Sequence, residues 1–513
     1  MSAVRQVPDL ASGRLLARNT VWNLLGQALP IAVGILAIPF LIRGLNVDRF
    51  GLLSLVWIVI GYFGLLDLGI GRALTKLLAD KLGADEEEQL PPLVWTSLLL
   101  MFLLGVLGSI IALVFSPWLV HHELKVPPSL QAEALTSFLV LAASIPVVTV
   151  TSGLRGIMEA QQRFRVLNLI RIPTSIFFFA GPLLVLPFSH SLVVVVSVLV
   201  AIRLVGCILH LVFCLHYMPV LRHNFTLDRR VILPLAKFGG WITVSNIVGP
   251  AILYSDRFII GTLLSVSAVA YYTIPFDMMS RLLIVPAATS GVLFPAFALS
   301  TASNEGRTRL LLDRGIKCIV FITFPIALII VTFAPEILQV WLGNTFAQNG
   351  GLVLRWLAVG IFVNCLSVIP FTLLQGIGYP DIAGKMLLID LPISVVAVWA
   401  VTTHFGITGA AIVWTVRATL ETVILFALSQ HFVTKNLLSL KSFAVSMLAA
   451  FLVFWFSTLV TGLTPKCIFL ACALAMFIFI SWRLILGPEE RSFLAQAYAS
   501  RKGSTLLPQR FGH

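Results

Sequence analysis

The sequence predicts an all-α polytopic membrane protein of about fourteen transmembrane helices, on three observations: its composition, its spacing of long apolar runs, and the one-sidedness of its loop cations. Of 513 residues, 58% are hydrophobic and 11% charged, with a mean hydropathy of +1.00. A soluble domain carries about 25% charged residues, so this chain lacks the polar surface that water requires. The net charge of +13 does not point to nucleic acid, because Lys and Arg sit in short clusters between apolar runs rather than on one basic face. Cys207, Cys214, Cys318, Cys365, Cys467 and Cys472 lie in or beside apolar segments with no C-x-x-C pair. They read as small core residues.

A helix needs about 20 apolar residues to cross a hydrocarbon core about 30 Å thick. Backbone groups cannot stay unpaired in lipid, so every long apolar run reads as helix. Such runs fall at 20–42, 51–71, 93–116, 132–154, 166–188, 192–216, 238–262, 268–299, 316–340, 352–376, 384–403, 408–432, 442–462 and 466–486. Residues 1–18 are polar and basic, and the first run is too long for a cleaved signal peptide. The connections leave no room for an inserted soluble domain, and the acidic run Asp85 to Glu88 reads as a solvated loop.

Loop charge orients the chain. With the amino terminus inside, the cytoplasmic segments carry Arg72, Lys76 and Lys81; Arg155, Arg163, Arg165 and Arg171; Arg222, Arg229, Arg230 and Lys237; and Arg307, Arg309, Arg314 and Lys317. Both tails add more. The opposite face has Arg43, Arg49, Lys125 and Lys466. Both termini are therefore expected in the cytoplasm.

The chain also matches itself at an offset of 219 to 220 residues. Trp22 and Gln27 meet Trp241 and Asn246, Leu45-Asn46-Val47 meets Leu264-Ser265-Val266, Leu154 and Gly156 meet Leu374 and Gly376, and Ile172-Pro173 meets Leu391-Pro392. An even number of helices separates the equivalents, so both halves enter the membrane in one direction, related by a pseudo-twofold axis along the membrane normal. The expected organisation is a tail over 1–18, a six-helix lobe over 19–221 and a second over 222–432. Two extra helices follow over 433–486, then a cytoplasmic tail over 487–513.

An ionised side chain near the bilayer centre costs at least about 2.5–3.5 kcal/mol, so each one within a run needs a partner or a wet cavity. The runs contain Asp67, Arg203, Asp256, Arg257, Asp277, Arg281, Arg355, Asp390, Arg417 and Glu421. Asp277 and Arg281, like Arg417 and Glu421, can neutralise each other one turn apart, and Arg355 can snorkel to the outer interface. Arg257, Arg281 and Arg203, with Asn246, Gln27 and Asn23, suit an anionic substrate such as a phosphate, which guanidinium binds bidentately. Asp67, Asp256 and Asp277 are candidates for ion coupling. His121, His122 and Glu123 are adjacent and cannot easily converge on a metal. No P-loop occurs, so ATP hydrolysis by this chain is not expected, and no cofactor is expected.

The stretch from Asn19 to Asp80 carries Asn23, Gly26 and Pro30, then Arg43-Gly44-Leu45 with Phe50-Gly51-Leu52, then Leu66-Asp67-Leu68-Gly69-Ile70. It resembles the opening of the Wzx-type polysaccharide flippases of the multidrug/oligosaccharidyl-lipid/polysaccharide superfamily. Leu154 and Gly156 with Gln161 and Phe164 are similar to the cytoplasmic segment after helix 4 of that family. The resemblance implies a bacterial inner-membrane protein, not an enzyme, that flips an undecaprenyl-pyrophosphate-linked oligosaccharide by alternating access, coupled to an ion gradient. It implies membrane lipids and a polysaccharide polymerase as partners, and places Asp67 in the family's helix-2 pattern. Fourteen runs exceed the twelve spans of many such flippases. Two rival functions are a drug or organic-cation antiporter of the same superfamily, which calls for an acidic aromatic site, and a membrane glycosyltransferase or polymerase, which calls for larger outer loops.

Overall fold

The computed structural model describes residues 13–63, 69–84, 86–161, 163–233, 235, 254–300, 305–377, 379–433, 440–481 and 483. Side chains of 13–31 and 440–445 are among those outside the description. All regular structure among the described residues is helical: α1 Gly13–Phe63, α2 Ile70–Gly83, α3 Leu90–Trp118, α4 Pro128–Ala143, α5 Ile145–Ala160, α6 Phe164–Val185, α7 Leu192–Tyr217 and the single turn α8 Val220–His223. Then come α9 over 254–263, α10 Val266–Ser280, α11 Ile284–Ser300, α12 Glu305–Leu342, α13 Asn344–Gly376, α14 Pro380–Val433, α15 Leu440–Leu459 and α16 Leu463–Ile480. Among the described residues, eight helical stretches are long and apolar enough to cross a membrane by length and composition. The chain is an all-helical polytopic membrane protein.

Two elements are too long for one crossing. α1 has 51 residues and turns at Asn46, whose φ of 66° and ψ of 164° leave the helical region. Asparagine tolerates a positive φ better than most side chains. α14 has 54 residues and turns at Gly406, with φ 60° and ψ −149°, a conformation essentially confined to glycine. The apolar runs 20–42 and 51–71 thus share α1, and the runs 384–403 and 408–432 share α14.

Most helix breaks recur along the chain within a few residues of the offset read from sequence, although the Ser144 break has no counterpart in α13. Asn46 corresponds to Ser265, between α9 and α10, and the α1/α2 boundary corresponds to the 3-10 turn Arg281–Leu283. The connection from α3 to α4 corresponds to Gly343, that from α5 to α6 to the α13/α14 boundary, and that from α6 to α7 to Gly406.

Three segments differ from the expected pattern. The run 132–154 is two helices, because Pro146 near the start of α5 lacks an N–H and the helix restarts at Ser144, whose hydroxyl donates to the Leu141 carbonyl at 2.6 Å. The run 268–299 is likewise split, with Pro286 unable to donate just past the 3-10 turn. The stretch after Ile70, expected as a loop, forms α2. Its Ile70, Ala73, Leu74 and Leu78 are buried at helical spacing while Arg72 and Lys76 face outward.

The described chain falls into two compact units. The first comprises Met1–Pro275, Trp341–Asn349 and Gly384–Val413. One core there joins Leu74 and Leu78 of α2, Leu93, Val94 and Leu98 of α3, Leu154, Ile157 and Met158 of α5, and Cys214 of α7. α3 leaves Phe102, Leu107, Ile110, Val114 and Phe115 exposed, an apolar stripe suited to a lipid surrounding. The second unit comprises Phe276–Val340, Gly350–Ala383 and Trp414–His513. In it α13 is the most enclosed element, with Leu357, Ile361, Cys365 and Ile369 fully buried.

Candidate functional site

The α9–α10 turn concentrates the charged candidates within the first unit. Asp256 and Arg257 are sequence neighbours on α9, only 3% and 1% exposed. Burying a carboxylate in an apolar bundle is costly unless its oxygens are hydrogen-bonded. Here one Asp256 oxygen accepts the Arg257 backbone N–H at 2.8 Å and the other accepts the Tyr272 hydroxyl at 2.5 Å. Tyr272 is itself fully buried on α10. The Arg257 guanidinium carbon stands 5.0 Å from the centre of the Tyr254 ring, a cation–π contact one turn back on the same helix. The structure thus brings Asp256 and Arg257 together with two tyrosines that the sequence did not single out.

The other candidates are separate. Arg203, midway along α7, is part-buried, and its guanidinium carbon lies 5.5 Å from the Phe178 ring centre on α6. Arg281 opens the 3-10 turn and is exposed, and Asp277, at the end of α10, is half-buried. Asp67 and Asn246 lie outside the described residues, as do the side chains of Asn23 and Gln27 on α1.

Around the Asn46 turn the first unit is tied by polar contacts that the charge census had only assigned to the outer face. Arg49, just past the turn, reaches Glu133 of α4 with Nη2 at 2.9 Å and Nε at 3.0 Å from one carboxylate oxygen. Glu133 also accepts the backbone N–H of Leu192, the first residue of α7. One carboxylate therefore joins three elements. The Lys125 backbone N–H donates to the Gly261 carbonyl at 3.0 Å, and its Nζ donates to the Leu263 carbonyl. At Gly51 an added Cβ would fall 1.8 Å from the Val266 carbonyl oxygen, so the second half of α1 meets the start of α10 backbone to backbone. These contacts link the first apolar helices to α9 and α10, their partners at the repeat offset. Glu133 was detectable in the sequence as an acid opening an apolar run on the face assigned to Arg49.

In the second unit Lys466 of α16 is only 5% exposed and donates to Glu336 of α12 at 2.5 Å. Among the described residues, no cluster of three or more His, Cys, Asp or Glu is placed to hold a metal ion.

Comparison with known proteins agrees with this architecture. A curated Shigella flexneri protein that carries the name O-antigen transporter is 27% identical over 408 residues, covering 80% of this chain and 96% of that one. An inward-facing structure of a multidrug resistance MATE family transporter of the MOP superfamily matches with a TM-score of 0.66 at 16% identity, over 81% of this chain and 98% of the other. A MOP superfamily transporter from Pyrococcus furiosus, described by the reverse polarity of its binding pocket, matches with a TM-score of 0.56 at 16% identity, over 82% and 95%. These solved structures give the chain a MATE-like fold. The model of the polysaccharide biosynthesis protein family matches residues 40–349. That is more than half the chain, and the chain belongs to this family.

Proposed function

We propose that this protein flips an undecaprenyl-pyrophosphate-linked oligosaccharide from the cytoplasmic to the periplasmic leaflet of a bacterial inner membrane. It works by alternating access of two six-helix lobes, 19–221 and 222–432, with the last two helices of fourteen outside the repeat. Both termini lie in the cytoplasm, and an ion gradient drives the cycle. The observation that carries the reading is arginine at membrane depth in a polysaccharide biosynthesis family member. Arg203 lies eleven residues from the start and thirteen from the end of the run 192–216, where an uncompensated charge is expensive and where an anionic pyrophosphate has use for a guanidinium; Arg257, five residues before the end of its run, is almost fully buried. The recurrence of helix breaks at the repeat offset supports the two-lobe organisation, and the name of the Shigella relative supports a lipid-linked glycan as cargo.

Within this reading Arg203 and Arg281 are the accessible cations. Arg257 is enclosed, so its encounter with cargo belongs to another state of the cycle. Asp256, held by Tyr272, is the ion-coupling element, with Asp67 and Asp277 as further candidates. Membrane lipids and a periplasmic-side polymerase are the partners.

A clean deletion should accumulate lipid-linked repeat units with their glycans facing the cytoplasm, and surface polysaccharide should disappear. Unchanged surface polysaccharide overturns the proposal, and hypersensitivity to cationic drugs in its place favours an antiporter.

A further inference from the structure

Three elements of the amino-terminal half converge on one aromatic group. Trp57, in the second half of α1, has its ring centre 6.0 Å from that of Phe178 and 5.5 Å from that of Phe179, both on α6. Arg203 of α7 completes the group over the other neighbour of Trp57, the Phe178 ring. Gly34, in the first half of α1, lets the Phe179 ring approach to 3.4 Å from where a Cβ would stand. All four residues are part-exposed, so a ligand can reach the edge of this recess, with the two donor atoms lying just beneath its surface.

Two donors in it lack acceptors: the indole Nε1 of Trp57 and the Nε of Arg203 are both buried without a hydrogen-bond partner. A buried unsatisfied donor costs about 1–3 kcal/mol, and more when charged. An aromatic core that served packing alone would be better built with Phe at 57 and an aliphatic residue at 203. The depth narrows the choice of ligand. Arg203 stands eleven residues into α7 from Leu192, about 16 Å at 1.5 Å per residue. A resident lipid headgroup stays at the interface, so an anion at this depth arrives attached to something that crosses.

The recess asks for an anion to meet the guanidinium, an oxygen acceptor to meet the indole, and a flat apolar face to lie against the rings. A pyranose supplies a C–H face and hydroxyl acceptors, and its glycosyl phosphate supplies the charge. An acyl chain would leave both donors unmet, and an organic cation would be repelled by Arg203. We infer that this recess binds the first sugar and adjoining phosphate of a glycosyl diphosphate, with Arg203 on the phosphate and Trp57 donating to a sugar hydroxyl at the edge of the Phe178 and Phe179 rings. The inference rests on the transport reading and assigns its cargo to a specific place.

The test is equilibrium binding to the full-length protein in nanodiscs of two soluble probes, UDP and UDP-N-acetylglucosamine, which differ by the sugar alone. Arg203→Gln should weaken both probes about tenfold or more, the size of a lost charge-assisted contact. Arg203→Lys, which keeps the charge without the planar fork, should weaken both by less and guards against misfolding of the neutral variant. Trp57→Phe should weaken the sugar-bearing probe about fivefold and leave UDP unchanged, the size of one hydrogen bond. A Trp57→Phe protein that binds both probes as the wild type does, with a raised melting temperature, overturns the sugar contact. Wild-type binding of both probes unaffected by either Arg203 variant overturns the phosphate contact, and no binding by the wild type overturns the whole assignment. If the deletion strain keeps its polysaccharide while these binding differences hold, the transport reading falls and the glycosyl diphosphate site stands.

Discussion

At the scale of single residues, the polar chemistry of this chain is decided by which buried group has a partner. Asp256 shows the rule. Its carboxylate is nearly inaccessible, and the Tyr272 hydroxyl donates to one oxygen while the Arg257 N–H donates to the other. Tyr272→Phe keeps the ring and removes the hydroxyl donor, leaving a buried carboxylate oxygen to bear the cost, about 1–3 kcal/mol. The expected result is a lowered melting temperature in detergent. Melting equal to the wild type would show that the hydroxyl is not needed there. Asp256→Asn separates the structural role from the coupling role: transport in inverted vesicles should lose its dependence on the imposed ion gradient while protein levels hold. Sequence alone exposed Asp256 and Arg257 because charges stand out in apolar runs. It did not expose Tyr272, which is sixteen residues away and unremarkable as an aromatic in a membrane helix. The pairing became visible only once the turn at Ser265 folded α10 back onto α9.

At the scale of elements, the apolar runs were legible because lipid removes every alternative to the helix. What hydropathy could not show was how the runs join or where they break. Asn46, Gly343 and Gly406 fall in the gaps between runs, where a single residue turns the chain, whereas Ser144 breaks a run from within, between flanks as apolar as the helices. α2 was missed because its apolar face is narrow and its other face carries Arg72, Lys76 and Lys81, a pattern that an averaged hydropathy cancels. Gly51 tests how tightly the elements are set. Gly51→Ala would drive a methyl into the Val266 carbonyl, and because both partners are backbone neither can rotate away. The two helices must part, which costs about 1–3 kcal/mol or more for overpacking. Reduced thermal stability and faster proteolysis are expected, and wild-type melting would show that α1 and α10 do not meet there. Glu133→Gln should act on the same region by a different route. It removes the charge from a bidentate pair with Arg49 whose side chains are 28% and 17% exposed. A loss of about 1–3 kcal/mol in unfolding measurements is expected. No change would mean that an amide oxygen serves the Leu192 N–H as well as the carboxylate does, and that solvent satisfies Arg49.

At the scale of the whole molecule, the question is what the last two helices contribute, since they lie beyond the proposed repeat and carry none of the candidate site residues. They are fastened to the second unit. Phe454 of α15 and Phe477 of α16 stack around Phe324 of α12 with centroid distances of 5.4 and 4.7 Å, and Phe454 also meets Phe362 of α13 at 5.5 Å. Each such pair contributes about 0.5–1.5 kcal/mol beyond its buried area. Lys466 adds an ion pair to Glu336 and lies 5.9 Å from the Phe333 ring, where α12 is kinked. Removing the chain from residue 440 onward would therefore leave Glu336 without its lysine and expose the Phe324 and Phe362 rings. In a membrane the rings alone lose little by meeting lipid, so the ion pair should dominate the loss. The truncated protein should insert but melt at a lower temperature and accumulate to a lower level. Adding Glu336→Leu to the truncation should recover part of that loss, because the orphaned carboxylate is then gone. A truncated protein that melts like the full chain would show these helices to be passengers. A loss that Glu336→Leu does not touch would place their contribution in the aromatic packing instead.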